Sequence, residues 1–241
     1  MKKTFLFLLS LFACCLSFAK QPKVLVFSKI TFYYHESIPN GIAAIQGLGK
    51  QMHFDVDTTT DASKFTDNNL KQYAAIVFLS TSDTSGALLN DAQQDALKHF
   101  IESGKGYVGI HAAADAEYQW PWYNHLVGAY FKNHPKEQEA EIHVADSDFI
   151  ATQTLPSSWK KFDEWYNFKE THWDEVHVLL TVDEKSYSGG ENGDYHPICW
   201  YHSYDGGRSF YLALGHTKES YSDPLFLKIL SGGIKYAIGE K

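Results

Sequence analysis

Lys23-Val24-Leu25-Val26-Phe27 is a short apolar run with no polar alternation, the pattern of a strand buried on both faces. Such a strand belongs in the middle of a sheet covered by helices, and the chain after it keeps that rhythm. Ile38, Ile42, Ile45 and Leu48 recur at helical spacing, with Ser37 as a cap and Pro39 suited to the first turn. Phe54-Asp55-Val56 reads as a second strand, and Ala74-Ala75-Ile76-Val77-Phe78-Leu79 as another buried run. A helix over 91–102, closed by Gly104, leads into Tyr107-Val108-Gly109-Ile110, a further strand. Right-handed crossovers between such units put the sheet in the middle and helices on both faces. The expected class is α/β, with a doubly wound, mostly parallel sheet.

The second half is less regular. Strands are expected at 141–144, 178–182, 198–201 and 210–214, with a closing helix over 224–238. Gly189-Gly190 and Gly206-Gly207 mark turns, the second pair where two strands meet in a hairpin. No Pro/Ser/Gly-rich linker, charge block or repeat separates the halves, so residues 20–241 read as one elaborated domain.

Residues 1–19 read as a secretory signal: Lys2 and Lys3, an apolar run over 5–16, then the small-x-small pattern Ser17-Phe18-Ala19. The run is too short for a transmembrane segment, and no later stretch approaches the length a span requires. The expected protein is periplasmic or secreted, beginning at Lys20. Cys14 and Cys15 carry the competing reading of a lipoprotein, which the poor approach Phe12-Ala13 disfavours. Cleavage after Ala19 leaves Cys199 alone and excludes an intramolecular disulfide.

Charge narrows the partners. The net charge of −8 becomes −10 once Lys2 and Lys3 leave, and Arg208 is the only arginine. Nothing here neutralises a phosphate backbone, so nucleic acid is excluded and a phosphorylated substrate disfavoured. A neutral small molecule fits better. The 15% aromatic share supplies flat apolar faces with polar tips, suited to sugars as well as to cores.

In an open parallel sheet the ligand site lies beyond the carboxyl ends of the strands. Tyr33-Tyr34-His35-Glu36 follows the first strand and Ser80-Thr81-Ser82-Asp83 follows the run at 74–79. His111 and then Asp115, Glu117, Trp120, Trp122 and Tyr123 follow Ile110, and Gly215-His216 follows Leu214. Three strand ends thus deliver His35, His111 and His216 to one rim, and their imidazoles are expected within roughly 10 Å of one another. Gly109-Ile110-His111-Ala112-Ala113 has the shape of a nucleophile elbow. Histidine in place of Ser or Cys cannot start ordinary acyl transfer, and Cys199 lies inside a strand-like stretch, so an amidase or thiol protease is disfavoured.

The chain resembles the ThuA-like, or trehalose-utilisation, family, which shares the flavodoxin-like fold of class I glutamine amidotransferases. Carrying the resemblance are residues 23–28 with Tyr34-His35-Glu36-Ser37-Ile38, Gly109 to Asp115, and Trp120-Pro121-Trp122-Tyr123. Leu126 to Phe131, His134-Pro135, Asp163-Glu164-Trp165-Tyr166, Pro197-Ile198-Cys199-Trp200 and Gly215-His216 complete it. One departure is visible: the family commonly has a basic residue just before the first-loop histidine, where this chain has Tyr34. The resemblance implies a link to disaccharide and oxidised-sugar metabolism, and His111 stands where the amidotransferases carry their cysteine.

Topology and resemblance together select His35, His111, Asp115, Glu164 and His216 as catalytic candidates. Tyr34, Trp120, Tyr123, His134, Trp165 and Tyr166 are candidates for substrate binding. Neutral histidine beside carboxylate permits proton transfer near pH 7. The sequence requires no cofactor; a divalent metal such as zinc remains open, although no HxxxH or HExxH spacing marks one. Aromatic-plus-acid loops suit a pyranose, which stacks its C–H face on rings while its hydroxyls meet acids and histidines. Two readings follow: an enzyme acting on a disaccharide, glycoside or keto-sugar with His111 as central acid or base, or a non-catalytic sugar-binding protein. Loop packing is the plain alternative for each aromatic. His53, His99, His125, His143, His172 and His177 receive no role. The oligomeric state is not legible.

Overall fold

A computed structural model describes residues 21–83 and 88–240. The leader over 1–19, with Cys14 and Cys15, lies outside the described residues. Among the described residues, eleven strands and five α-helices follow in chain order: β1 Lys23–Phe27, α1 Ile38–Met52, β2 Asp55–Thr59, α2 Asp67–Leu70, β3 Ala75–Leu79, α3 Asp91–Glu102, β4 Gly106–Ile110 and α4 Pro121–Val127. The second half holds β5 Tyr130–Asn133, β6 Gln138–Val144, β7 Ser158–Asp163, β8 Asn167–Lys169, β9 His177–Val182, β10 Pro197–Tyr204, β11 Gly207–Leu212 and α5 Pro224–Ile238.

Nine strands form one sheet in the order β2-β1-β3-β4-β11-β10-β9-β6-β7, and β5 pairs with β8 apart from it. From β2 to β11 all neighbours are parallel, in the 2-1-3-4-5 order of the flavodoxin-like class. β11 fills the fifth place although residues 111–206 separate it from β4. From β11 to β7 every neighbour is antiparallel, so the irregular second half is an antiparallel extension of the parallel sheet. The join is the hairpin expected at Gly206-Gly207: Asp205 and Gly206 take φ of 47° and 86° between β10 and β11, the left-handed pair that a two-residue turn demands.

Helices cover both faces of the parallel half. Leu79 packs toward Gly41 of α1, and Phe210 toward Gly233 of α5. On the opposite face Phe78 meets Phe65 and Tyr123 of α4. Gly106 admits α5 closely, since a Cβ there would lie 2.1 Å from the Ala237 carbonyl oxygen. Among the described residues no helix is long and apolar enough to cross a membrane.

Ser37 does occupy the N-cap of α1, but its hydroxyl does not cap the helix. It donates instead to the Gly215 carbonyl at 3.0 Å, tying the loop after β1 to the loop after β11. The short strands β5, β7 and β8 escape the sequence reading for a reason visible in β7. There Lys161 and Asp163 face inward and Phe162 outward, because the Lys161 ammonium is neutralised by Asp223 at 2.8 Å.

Candidate functional site

The loop after β1 is pinned before it delivers its histidine. Thr31 N–H donates to the Ser82 carbonyl at 2.9 Å, Tyr33 N–H to Ser82 Oγ at 3.3 Å, and the His35 carbonyl accepts from Ile38 N–H at 3.1 Å. After β4, His111 takes a left-handed φ of 51°, the sharp strand-to-turn geometry of an elbow. Such a backbone is costly for a residue with a Cβ and persists only when its surroundings hold it. Here Tyr211 donates its hydroxyl to the His111 carbonyl at 2.8 Å. After β11, Gly215 at φ 117° turns the chain and presents His216. The three imidazole centroids lie 4.8, 5.3 and 5.2 Å apart, well inside the distance expected of a shared site.

Glu164, just beyond β7, completes the group. His111 Nδ1 donates to the Ala213 carbonyl at 2.8 Å, which leaves its Nε2 as a lone pair. His216 Nε2 lies 2.9 Å from Glu137 Oε1, so its Nδ1 is likewise the free acceptor. These two nitrogens are 3.3 Å apart, and Glu164 Oε2 lies 3.4 Å from the first and 3.3 Å from the second. With both imidazoles neutral, three lone pairs face one another across a nearly equilateral triangle. Ligands about 2.0–2.1 Å from the centre of a tetrahedron are separated by about 3.3–3.4 Å, the edge found here. His35 supplies a fourth ligand atom, all four lying within 4.8 Å of one another. Its Nδ1 is buried with no hydrogen-bond partner among the described residues. A divalent cation suits such a set, and its outer contacts are in place: the Ala213 carbonyl on His111, Glu137 on His216, and His134 Nδ1 on Glu164 Oε1 at 3.0 Å.

Electrostatics follow from the crowding. Burial, then the neighbouring His111 and His216, push the His35 pKa down to about 2, so it stays neutral and ligand-competent. Burial alone would raise Glu164, but the facing His111 and His216 outweigh it and hold the carboxyl well below its usual range. Burial works against protonation of His216, yet Glu164 and Glu137 raise its pKa overall. Asp115 is raised by burial, partly offset by hydrogen bonds from Tyr118 at 2.6 Å and Ser82 at 3.2 Å.

Above this group opens a cavity of about 640 Å³, within the ordinary range for small-molecule sites. His35, Asp115, His134, Glu164, Tyr166 and His216 all line it. His111 does not: it is fully buried, with the Tyr166 ring 4.3 Å away. The structure places the other aromatics elsewhere. Trp120 stacks on Trp122 at 4.9 Å and on Tyr123 at 5.9 Å, and the buried Tyr123 donates to the Ala113 carbonyl at 2.7 Å. Trp165 is buried with its indole N–H on the Gln138 carbonyl at 2.8 Å; Glu164 and Tyr166 on either side of it line the cavity, and alternation in extended chain turns Trp165 away. Tyr34 is exposed and off the lining, where Tyr33 stands instead. The wall is built from Phe32, Tyr33, Phe131, Phe162 and Tyr166.

Asp163 is the residue that sequence reasoning passes over. Fully buried, it accepts from the N–H groups of Glu164, Gly215 and His216 at 2.9, 3.1 and 3.1 Å, and from Ser220 Oγ at 2.9 Å. It thereby fixes Glu164 against His216. Its adjacency to Glu164 was the available signal. Glu137, on the far side of His216, carried none, since it sits in a polar loop just before β6.

A family model described as trehalose utilisation (ThuA) matches residues 23–237. No curated protein matches the chain. Among solved structures, a ThuA-like protein from Bacteroides uniformis is 28% identical with a TM-score of 0.74, covering 91% of this chain and 93% of that one. A ThuA-like protein from Parabacteroides merdae shares 18% identity at a TM-score of 0.73, covering 92% and 91%. PurLQS from Thermotoga maritima, 12% identical over 90% of this chain and 99% of that chain at a TM-score of 0.56, shares the fold alone. With its glutamine amidotransferase-like sheet and a family match over nearly its whole described length, the chain belongs to the ThuA family of trehalose utilisation and so to carbohydrate metabolism.

Proposed function

We propose that this protein is an exported enzyme that acts on a glycoside, disaccharide or keto-sugar by proton transfer beside a divalent cation. The reading rests on one observation: the lone pairs of His111, His216 and Glu164 meet at 3.3–3.4 Å beneath a ligand-sized cavity. His35, His111, Glu164 and His216 would hold the cation, which supplies Lewis-acid polarisation of a carbonyl or hydroxyl oxygen. His111, sealed from the cavity, serves as a ligand in this reading and not as the central base. Proton transfer passes to Asp115, whose raised pKa and place on the cavity wall suit a general acid or base. Tyr118 and Ser82 orient its carboxyl. Tyr166 offers its face to the sugar ring, and His134 steadies Glu164 from the open side. A carbonyl on the sugar would acidify the neighbouring C–H, so elimination or isomerisation next to it is the chemistry supported.

A non-catalytic sugar-binding role is the second reading, favoured by the aromatic wall alone. The two separate on turnover. Purified protein incubated with disaccharides, glycosides and their keto derivatives should form product, lose activity in chelator and regain it with Zn²⁺ or Mn²⁺. Asp115→Asn should lower kcat at least 100-fold with little change in KM. Ligand binding without turnover in every case sinks the enzyme. For export, the N-terminus of the recovered protein should be Lys20; a lipid on Cys14 or Cys15 would overturn cleavage after Ala19.

A further inference from the structure

The rim of the cavity differs in chemistry from its floor. Among the described residues, Phe32, Tyr33, Tyr34, Phe162 and Tyr195 are the large aromatic side chains left more than half exposed. Phe32, Tyr33 and Phe162 line the cavity mouth. Exposed apolar rings gathered on one pocket mark a binding surface more often than an accident of the fold.

Nothing about the local chain forces this exposure. The loop carrying Phe32 and Tyr33 is anchored to Ser82 through two backbone N–H groups, so these rings are held out by an ordered backbone. Tyr33 also packs edge-on against His35, centroids 4.8 Å apart. Phe162 stands on the outward row of an edge strand, one pair removed from Lys160, which binds Glu139 at 3.3 Å. On that row a charged or polar residue is the ordinary choice, since edge strands are protected by charge. On the inner side Phe131 continues the apolar surface, its ring 4.3 Å from Tyr166.

We infer that the substrate carries an aromatic aglycone, and that Phe32, Phe131 and Phe162, with Tyr33, form the subsite that holds it while the sugar ring lies over the histidine floor. This rests on the sugar-site reading of the cavity above. Three of the four rings are phenylalanines, which offer no hydrogen bond. A second sugar ring could stack only a C–H face there, whereas an aromatic group presents apolar surface throughout and gains offset or edge-to-face contacts with the rings. The buried hydrogen-bonding groups of Asp115, Glu164 and His35 and the half-buried His216 lie at the floor, and the exposed His134, Lys136 and Glu137 also line the cavity.

Calorimetric or ligand-observed NMR titration of the full mature protein tests this with both anomers of methyl glucopyranoside and phenyl glucopyranoside. The phenyl glycoside of one anomer should bind at least tenfold more tightly than its methyl counterpart. The Phe32→Ala/Phe162→Ala double variant should lose that advantage while its methyl glycoside affinity and unfolding midpoint stay unchanged. Equal binding of phenyl and methyl probes, no binding of either, or parallel weakening of both in the variant overturns the subsite. Trehalose binding more tightly than the phenyl probe would assign the rim to a second sugar instead. A wild-type dimer by sedimentation that the double variant converts to monomer would assign it to a second copy of the chain. A phenyl preference without turnover of any glycoside counts against the enzyme reading and leaves this one standing.

Discussion

The parallel and antiparallel halves of the sheet contribute to the site in different currencies. In the parallel half, β3 and β4 are buried at every position and β1 at all but its first, and its strand ends deliver His35, His111 and His216. In the antiparallel half, β6 and β7 alternate between buried and exposed, and around them stand Glu137, Glu164 and Phe162. The deeply packed half supplies three imidazoles on pinned turns together with Phe32 and Tyr33 of the rim; the half-wet half supplies the Glu137 and Glu164 carboxylates and Phe162. The ligand set described above draws on both, three imidazoles from one half and one carboxylate from the other.

Removing one ligand from each half is the most severe way to break this division. His111→Ala and Glu164→Gln should each lower divalent-cation affinity, measured by chelator competition, beyond the 10–100-fold typical of outer contacts. Unchanged affinity in Glu164→Gln would dismiss the antiparallel half from the site. Next in size is the tie between the halves: Asp163→Ala strands two buried N–H groups and a part-buried third and should cost about 4 kcal/mol in denaturant unfolding. A loss under about 1 kcal/mol would show that the halves hold together without it.

Two buried titrating groups, one on each side, sharpen the contrast through pH. Burial raises the Glu117 pKa to about 7 from its ordinary 4.5, against hydrogen bonds from Leu89 N–H and Gln94. Its stabilising protonated state is complete below 4.5 and is lost as pH rises to 7, because the unfolded chain ionises first. Glu117→Gln should therefore gain on the wild type by up to about 3 kcal/mol between pH 4.5 and pH 8. His202 on β10 has the opposite sign. Burial lowers its pKa although the Leu126 carbonyl accepts its N–H at 3.0 Å, so stability falls as pH drops below 6.5 and the unfolded chain takes up the proton. His202→Gln should flatten that acid limb of the Tm profile. A Tm that rises on acidification in both variants would contradict these assignments.

Legibility in the sequence follows the same division. A strand buried on both faces writes itself as Val24-Leu25-Val26-Phe27 or Ile76-Val77-Phe78-Leu79, and the strand-end rule then locates His35, His111 and His216 without coordinates. Helices α3 and α5 fall on the residues expected of them. β7 hides because its inward positions are Lys161 and Asp163, satisfied by partners 62 and 52 or more residues away. Asp163 receives no role in the sequence reading for that reason. The tryptophans misled in the other direction: proximity in sequence to His111 and Glu164 says nothing about which way a ring points, and Trp120 and Trp165 turn into packing contacts.

The Asp205-Gly206 turn has a bearing on the order in which the molecule is made. β4 emerges from synthesis with one edge open, and its parallel partner β11 lies beyond residues 111–206. An unpaired central strand is a template for foreign chains, and a closure of this length slows folding more than it weakens the final state. The parallel half is therefore completed only after the antiparallel extension and this turn are in place, so the segment that looks like a late elaboration is the one that seals the older-looking core.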